Sequence, residues 1–377
     1  MPNQRIFYAC QAVGVIERNS LTDDDVATDA VFLNGVQSVG VSLEQPFNVI
    51  SDNGRFQKKN QLSNFMSGDR TYTITLERVL DKSSDPFYKT ANYGSTYTIN
   101  HIFHPDNLGM QGQKDKNNKC LKNYDIVLIY TSDDKTNVSK DSQTPIGTAH
   151  YRNCLITNIS YSLSVGGYLT ESITLTSKRV EHSTSKIDLS SVTFPEGATI
   201  AKSYNLDINN DTVYTKLPTN LTTVFTTPDD DKPILQSIEL SVDINYTTLP
   251  DVGAFGRDNN PNVWAFVDVP LSISASFTGV SRNIYPTRDD ILYKDNLYTI
   301  GEDIRIVLDC FDADTSTPNF FIFDLGQKNF VSDVSVSGGD SAGGNAELTI
   351  SYANEHSDFV IAREASVQTI TNPTSTY

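Results

Sequence analysis

Residues 36–42 read VQSVGVS, and residues 235–241 read LQSIELS. Both carry the same Gln-Ser pair and close on the same Ser, and their apolar positions coincide. The two stretches are 199 residues apart, and that offset holds without a gap well beyond them. Gly54 meets Gly253, Phe56 meets Phe255, Asn60 meets Asn259, Phe65 meets Trp264 and Asp69 meets Asp268. Tyr72-Thr73-Ile74-Thr75 then meets Leu271-Ser272-Ile273-Ser274. Self-similarity at a fixed spacing is the mark of a duplicated structural unit.

The match resumes at a shorter offset. Asp125-Ile126-Val127-Leu128 meets Asp303-Ile304-Arg305-Ile306 at 178. The stretch 156–162, ITNISYS, meets 331–337, VSDVSVS, at 175, and Ile173-Thr174-Leu175-Thr176 meets Leu348-Thr349-Ile350-Ser351 at the same 175. The offset falls from 199 to 178, so the first copy carries 21 more residues between 81 and 125. They include much of 92–122, with the polar, locally basic run QGQKDKNNK, which reads as an extended loop or hairpin.

Within the matched segments apolar and polar residues alternate. Tyr72, Ile74 and Leu76 are separated by Thr73 and Thr75, and Leu348, Ile350 and Tyr352 by Thr349 and Ser351. Period two describes a strand with one buried face. The run Ile126–Tyr130 is apolar throughout, as in a central strand covered on both faces. Gly166-Gly167 and the GGDSAGG stretch around Gly343 read as hairpin turns. Helical periodicity is scarce, with room for one short helix per copy, near Ser84-Asp85-Pro86 and near Thr287-Arg288-Asp289. The expected fold class is all-β, with two tandem β-sandwich or open-barrel domains. The first spans 1–185 with a long insertion at about 92–122, and the second spans 234–377. Residues 186–233, rich in Ser, Thr, Asn, Asp and Pro, form a linker with a hairpin expected near Tyr204–Tyr214.

Composition agrees with this class. Of the 377 residues 38% are hydrophobic, enough for two cores. The 46 acidic side chains outnumber 29 Lys and Arg, giving a formal charge of −17. A free nucleic-acid binder would carry the opposite sign, because it must neutralise phosphates. No run is long and apolar enough to span a membrane, and the N-terminal MPNQRIFYACQAVGV is a poor secretory signal and a fair first strand. Cys10, Cys120, Cys154 and Cys310 form no CxxC pair and are expected to be reduced, mostly buried thiols.

The segment NGVQSVGVS at 34–42, followed by TYTITLERVLD at 71–81, resembles the tail tube proteins of tailed bacteriophages. So do the opening RIFYACQAVGV and the strand pair ISYSLSVGGYLTESITLTS at 159–177. The resemblance covers most of the first copy and reaches the second through the repeat. It rests on patterns of strand residues and brings no catalytic residue with it. What it implies is a virion structural protein, made in the host cytoplasm, whose β-domains close side by side into rings. The rings stack into a tube that lets DNA pass at ejection. Implied partners are further copies of the chain (a homohexamer), the tail sheath, baseplate and tail terminator proteins, and genomic DNA in non-specific passage, with no membrane. The alternative is a trimeric hub or tube-initiating baseplate protein with pseudo-sixfold symmetry. A second alternative is a carbohydrate-binding or glycan-degrading fibre or spike protein, which would need exposed aromatics and a cleft of paired acids.

No enzymatic chemistry is expected. There is no GxSxG, P-loop or GxGxxG before a helix. His101 and His104 stand three apart in a strand-rich context before Pro105, without the acid partner of a zinc site. The acidic runs Asp133-Asp134, Asp229-Asp230-Asp231 and Asp289-Asp290 lack EF-hand spacing and read as solvated loops. Cys154 and Trp264 align with Phe330 (within a residue) and Phe65 in the repeat and are expected in the core. No catalytic, cofactor or metal residue is therefore assigned. The first-copy insertion, with Lys114, Lys116 and Lys119, is the candidate for stacking one ring on the next.

Overall fold

A computed structural model describes residues 12–18, 30–45, 47–51, 61–66, 70–80, 92–93, 97–98, 123–131, 145–183, 226–227, 230–233, 235–249, 264–267, 272–280, 302–309, 320–337, 347–354 and 360–364. Among these residues every regular element is a strand. The strands of the first half are β1 (Ala12–Arg18), β2 (Val31–Phe32), β3 (Val36–Glu44), β4 (Phe47–Ser51), β5 (Gln61–Met66), β6 (Thr71–Val79), β7 (Asn92–Tyr93), β8 (Tyr97–Thr98), β9 (Asn123–Thr131), β10 (Pro145–Ser164), β11 (Thr170–Ser177) and β12 (Arg179–Ser183). Those of the second half are β13 (Thr226–Thr227), β14 (Asp230–Pro233), β15 (Leu235–Asp243), β16 (Tyr246–Leu249), β17 (Trp264–Val267), β18 (Ser272–Val280), β19 (Glu302–Asp309), β20 (Phe320–Ser337), β21 (Glu347–Asn354) and β22 (Val360–Glu364). The helices expected near 84–86 and 287–289 and the hairpin near 204–214 lie outside the described residues.

The chain divides into two compact units, Met1–Glu77 with Asn123–Thr157 and Ile173–Phe194, and Arg78–Lys122 with Asn158–Ser172 and Pro195–Tyr377. In the first unit β9 lies between β1 and β10, and Tyr124–Ile129 are all buried. The doubly covered strand read from its apolar run is thus present. Ile16, Phe32, Val127 and Ile129 form a cluster there, with Ala12 and Ala30 packed on it. Gly14 sits close against this cluster: a Cβ on it would lie 3.3 Å from both Ala30 Cβ and Phe32 Cε1, so these neighbours would have to shift by a few tenths of an ångström. The same unit carries the order β10-β11-β6-β3. The second unit carries the order β20-β21-β18-β15, extended by β19 on one side and by residues 158–164 of β10 on the other.

These two orders are the repeat seen in three dimensions. At offset 199 β3 corresponds to β15 and β6 to β18, and at offset 175 β10 corresponds to β20 and β11 to β21. Each copy also places a small hairpin between the first pair, β4–β5 in one and β16–β17 in the other. Alternation is read out as burial. In β11 Ile173, Leu175 and Ser177 point inward, and in β21 Leu348, Ile350 and Tyr352 do so. The β10–β11 hairpin closes through Gly166 at φ 74°, a left-handed conformation open to glycine without strain. Its ring contacts in the second unit include Tyr161 against Phe323, with centroids 5.1 Å apart. Nearby, Phe277 meets Tyr352 edge to face at 5.9 Å.

One position breaks the apolar register. Period two carries the inward face of β6 from Ile74 and Leu76 to Arg78, which is only 3% exposed. Its Nε donates to Glu171 Oε1 at 2.5 Å, and that carboxylate is fully buried. The repeat puts Phe277 where Arg78 stands, so the same site in the second copy is apolar. A buried ion pair gives back in attraction about what desolvation of its charges costs, yet losing one partner is severe. Glu171→Ala is therefore expected to destabilise by about 3–5 kcal/mol, whereas the paired change Arg78→Met with Glu171→Leu recovers most of that loss. Urea denaturation of both variants measures the difference.

Candidate functional site

The residues singled out for ring stacking, Lys114, Lys116 and Lys119, lie outside the described residues, as do His101, His104, Asp133, Asp134, Asp289 and Asp290. Among the described residues no group of three or more His, Cys, Asp or Glu could hold a metal ion. Cys154 is fully buried, as expected, and its Sγ lies 3.4 Å from the Tyr151 carbonyl oxygen, although Phe330, with which it was aligned, is 38% exposed.

Titratable groups do converge at one place that the sequence did not single out. Asp125 of β9 is fully buried. Its Oδ2 lies 2.9 Å from His150 Nε2 and 3.4 Å from Arg152 Nη1, and its Oδ1 accepts the Asn153 backbone N–H at 2.8 Å. Arg152 also reaches Glu181 through Nη2 at 3.2 Å, and Glu181 pairs with Arg179. Asn153 has a φ of 53°, and the β9–β10 register shifts between Tyr151 and Cys154. The carboxylate thus caps the backbone of a β-bulge, where one strand carries an extra residue against its partner. Beyond the bulge β10 leaves β9, and its residues 158–164 pair with β15. In the second copy two asparagines, Asn329 of β20 and Asn354 of β21, lie near the shift in the β19–β20 register. There Asn354 Nδ2 donates to the Leu325 carbonyl at 2.6 Å and to Asn329 Oδ1 at 3.1 Å. With Asp125 and Cys154 both sealed from solvent, this cluster is built to hold a backbone. The sequence signal was the Asp that starts an apolar strand in both copies, Asp125 and Asp303.

The solvent-facing feature is different in kind. In the first unit β3 pairs with β6 along one side, and among the described residues no strand lies on the other. In the second unit residues 330–337 of β20 pair with β21 along one side, and again no described strand lies on the other. Both edges expose apolar side chains: Val41 at 41% and Leu43 at 51% on β3, Phe330 at 38% and Val336 at 55% on β20. An edge of unpaired N–H and C=O groups with apolar flanks is a template for pairing with another chain. These two edges are the candidate functional site.

No protein family and no curated protein sequence matches this chain. Among solved structures it is similar to a chain of the anti-feeding prophage (AFP) baseplate, determined by cryo-EM and 6-fold symmetrised, at 11% sequence identity and a TM-score of 0.26. That likeness covers 48% of this chain and 97% of the other. At such values it carries no argument about function.

Two outcomes follow from the bulge. Asp125→Ala removes the acceptor for Asn153 N–H and the partner of the buried His150 and the half-buried Arg152. It is expected to destabilise by about 3 kcal/mol or more, read from thermal or urea unfolding. Tyr151, next to the bulge, has its phenol pushed up to about 12, chiefly by burial and further by Tyr130, Tyr72 and Cys154. The folded chain then holds that proton more tightly than the unfolded chain. Stability is unaffected well below the ordinary tyrosine value and falls as pH rises from about 10 towards 12. Tyr151→Phe is expected to flatten that fall in a series of unfolding curves across the alkaline range.

Proposed function

We propose that this chain is a non-enzymatic structural protein of a phage-type tail, and specifically a tube subunit whose copies join edge to edge into rings that stack around a channel for DNA. The observation that carries the reading is a pair of apolar-flanked sheet edges, β3 and residues 330–337 of β20, beside which no strand lies among the described residues. A lone sheet with such edges is an aggregation hazard, and ring closure removes the hazard as barrel closure does. Because the two edges belong to different strands, the contact between copies is heterologous, and heterologous contacts that close give rings. The strand motifs shared with tail tube proteins point the same way. The formal charge of −17 suits a channel wall past which phosphates must slide without sticking. On this reading the two copies, 1–185 and 234–377, are neighbouring positions in a ring, the 92–122 insertion contacts the next ring, and sheath, baseplate and terminator proteins are the partners within the virion.

A second reading is supported by the same duplication. Two sheet units per chain let three chains supply six positions, which is the geometry of a trimeric hub with pseudo-sixfold symmetry. Negative-stain microscopy of the purified protein separates these readings from a freely monomeric one, with rings or tubes expected on concentration. Copy number per particle separates them from each other. A number comparable to the sheath protein selects the tube, and a handful selects the hub. A protein that stays monodisperse and monomeric and is missing from particles overturns both.

A further inference from the structure

The chain contains its own example of how two copies of the repeat can join. In the second unit, residues 158–164 of β10 pair antiparallel with β15, with Asn158 opposite Asp243, Ile159 opposite Val242, Ser160 opposite Ser241, Tyr161 opposite Leu240 and Ser162 opposite Glu239. In repeat terms this joins the outer strand of one copy to the outer strand of the other. The equivalents of these two strands are the segment 333–337 of β20, at offset 175, and β3, at offset 199. Among the described residues no strand lies along either of these edges.

We infer that a second copy of this chain occupies each open edge, β3 of one molecule pairing antiparallel with β20 of the next in the register that the internal junction dictates. That register sets Glu44 opposite Asp333, Leu43 opposite Val334, Ser42 opposite Ser335, Val41 opposite Val336 and Gly40 opposite Ser337. The inference rests on the self-association proposed above and supplies its contact.

Burial supports the transfer residue by residue. Leu240 and Val242 are 3% and 1% exposed inside the internal junction, whereas their equivalents Val41 and Leu43 are 41% and 51% exposed. Tyr161 is 3% exposed, and its equivalent Val336 is 55%. Val39 and Val334, one step further in on the same faces, are already buried. So the side chains that stand in solvent are those whose counterparts are covered by the strand that an inter-chain junction would add. Directly opposed side chains in an antiparallel pair share a face, so Val41 with Val336 and Leu43 with Val334 would form one apolar row continuous with each core. The opposite face would carry Ser42 and Ser335, as the internal junction carries Ser241 and Ser160.

The two junctions differ at one end. Inside the chain Asn158 Nδ2 donates to Asp243 Oδ1 at 2.5 Å and to Ser241 Oγ at 3.1 Å. Between chains the same positions are Asp333 and Glu44, two carboxylates. Like charges directly opposite oppose pairing. The contact between molecules is therefore built weaker than the contact within one, so the chain completes its internal junction before it finds a neighbour.

Two sets of variants test the register, all at exposed positions and all checked for an unchanged thermal midpoint. Ser42→Cys with Ser335→Cys places the thiols at directly opposed positions, whose Cβ atoms are about 4.5–5.5 Å apart. Mild oxidation is expected to give disulfide-linked multimers on a non-reducing gel. The shifted pair Ser42→Cys with Ser337→Cys is expected to give far fewer. Asp333→Asn restores the amide–carboxylate pairing of the internal junction. It is expected to lower the concentration for self-association about fivefold, as read by sedimentation velocity. Val336→Asp is expected to raise that concentration by about tenfold or more. Oligomers that form without the 42–335 link, or that link better through 42–337, overturn this register and leave self-association standing. A chain that remains monomeric in every variant overturns both.

Discussion

Every strand edge in a β-protein must be paired, covered or left to solvent, and this chain is organised by how it meets that requirement. The outer edge of β15 is closed from within by residues 158–164 of β10. That single ladder uses up one edge from each copy of the repeat, and among the described residues the other edge of each has no neighbouring strand. Backbone hydrogen bonds in the ladder are unspecific, so side chains choose the pairing. Ile159, Tyr161, Val242 and Leu240 supply the buried face, and Asn158 with Asp243 and Ser241 fixes the end. A slip by one residue would turn the buried set to solvent, which is why such a ladder has one register.

The long strands make that arrangement possible. β10 runs for 20 residues and β20 for 18, and each serves two sets of partners along its length. β10 pairs with β12 up to Arg152, with β9 up to Cys154 and with β15 from Asn158 onward. A strand that changes partners needs a bulge, and a bulge exposes backbone groups that the ladder no longer satisfies. Buried N–H groups without partners are costly. At the β10 bulge Asp125 accepts the Asn153 N–H, and in the second copy Asn354 donates to the Leu325 carbonyl. An acceptor side chain thus meets a backbone N–H in one copy, and a donor side chain meets a backbone carbonyl in the other. A similar divergence separates the Arg78–Glu171 pair from the apolar Phe277. The two copies of the strand order thus share their ladders and differ in their buried polar side chains.

Much of this fold was legible in the sequence. The alternation in β6, β11 and β21, the continuous apolar run of β9, the hairpin turn at Gly166-Gly167 and the buried Cys154 all follow from local residue patterns. So does the all-β class. The duplicated strand order was legible as a pair of offsets. Less legible was the site. Val41 and Leu43 sit in β3 as regularly as Leu240 and Val242 sit in β15, and the two strands read alike. Nothing local distinguishes an edge that finds its partner inside the chain from one that does not. The Asp125 cluster was hidden for a related reason, since its members come from β9, β10 and β12 and meet only through the pairing of those strands, with the bulge at Asn153 adding its backbone N–H.

By itself the sequence determined which residues face inward, where strands turn and that one strand pattern occurs twice, because side-chain periodicity is local and the chain's own pleat reads it out. Only the tertiary structure decided which edge meets which. Strand pairing is made by backbone groups common to every residue, so the choice among edges falls to long-range packing. That packing buries Leu240 and Val242 behind β10 and leaves their repeat counterparts Val41 and Leu43 in solvent.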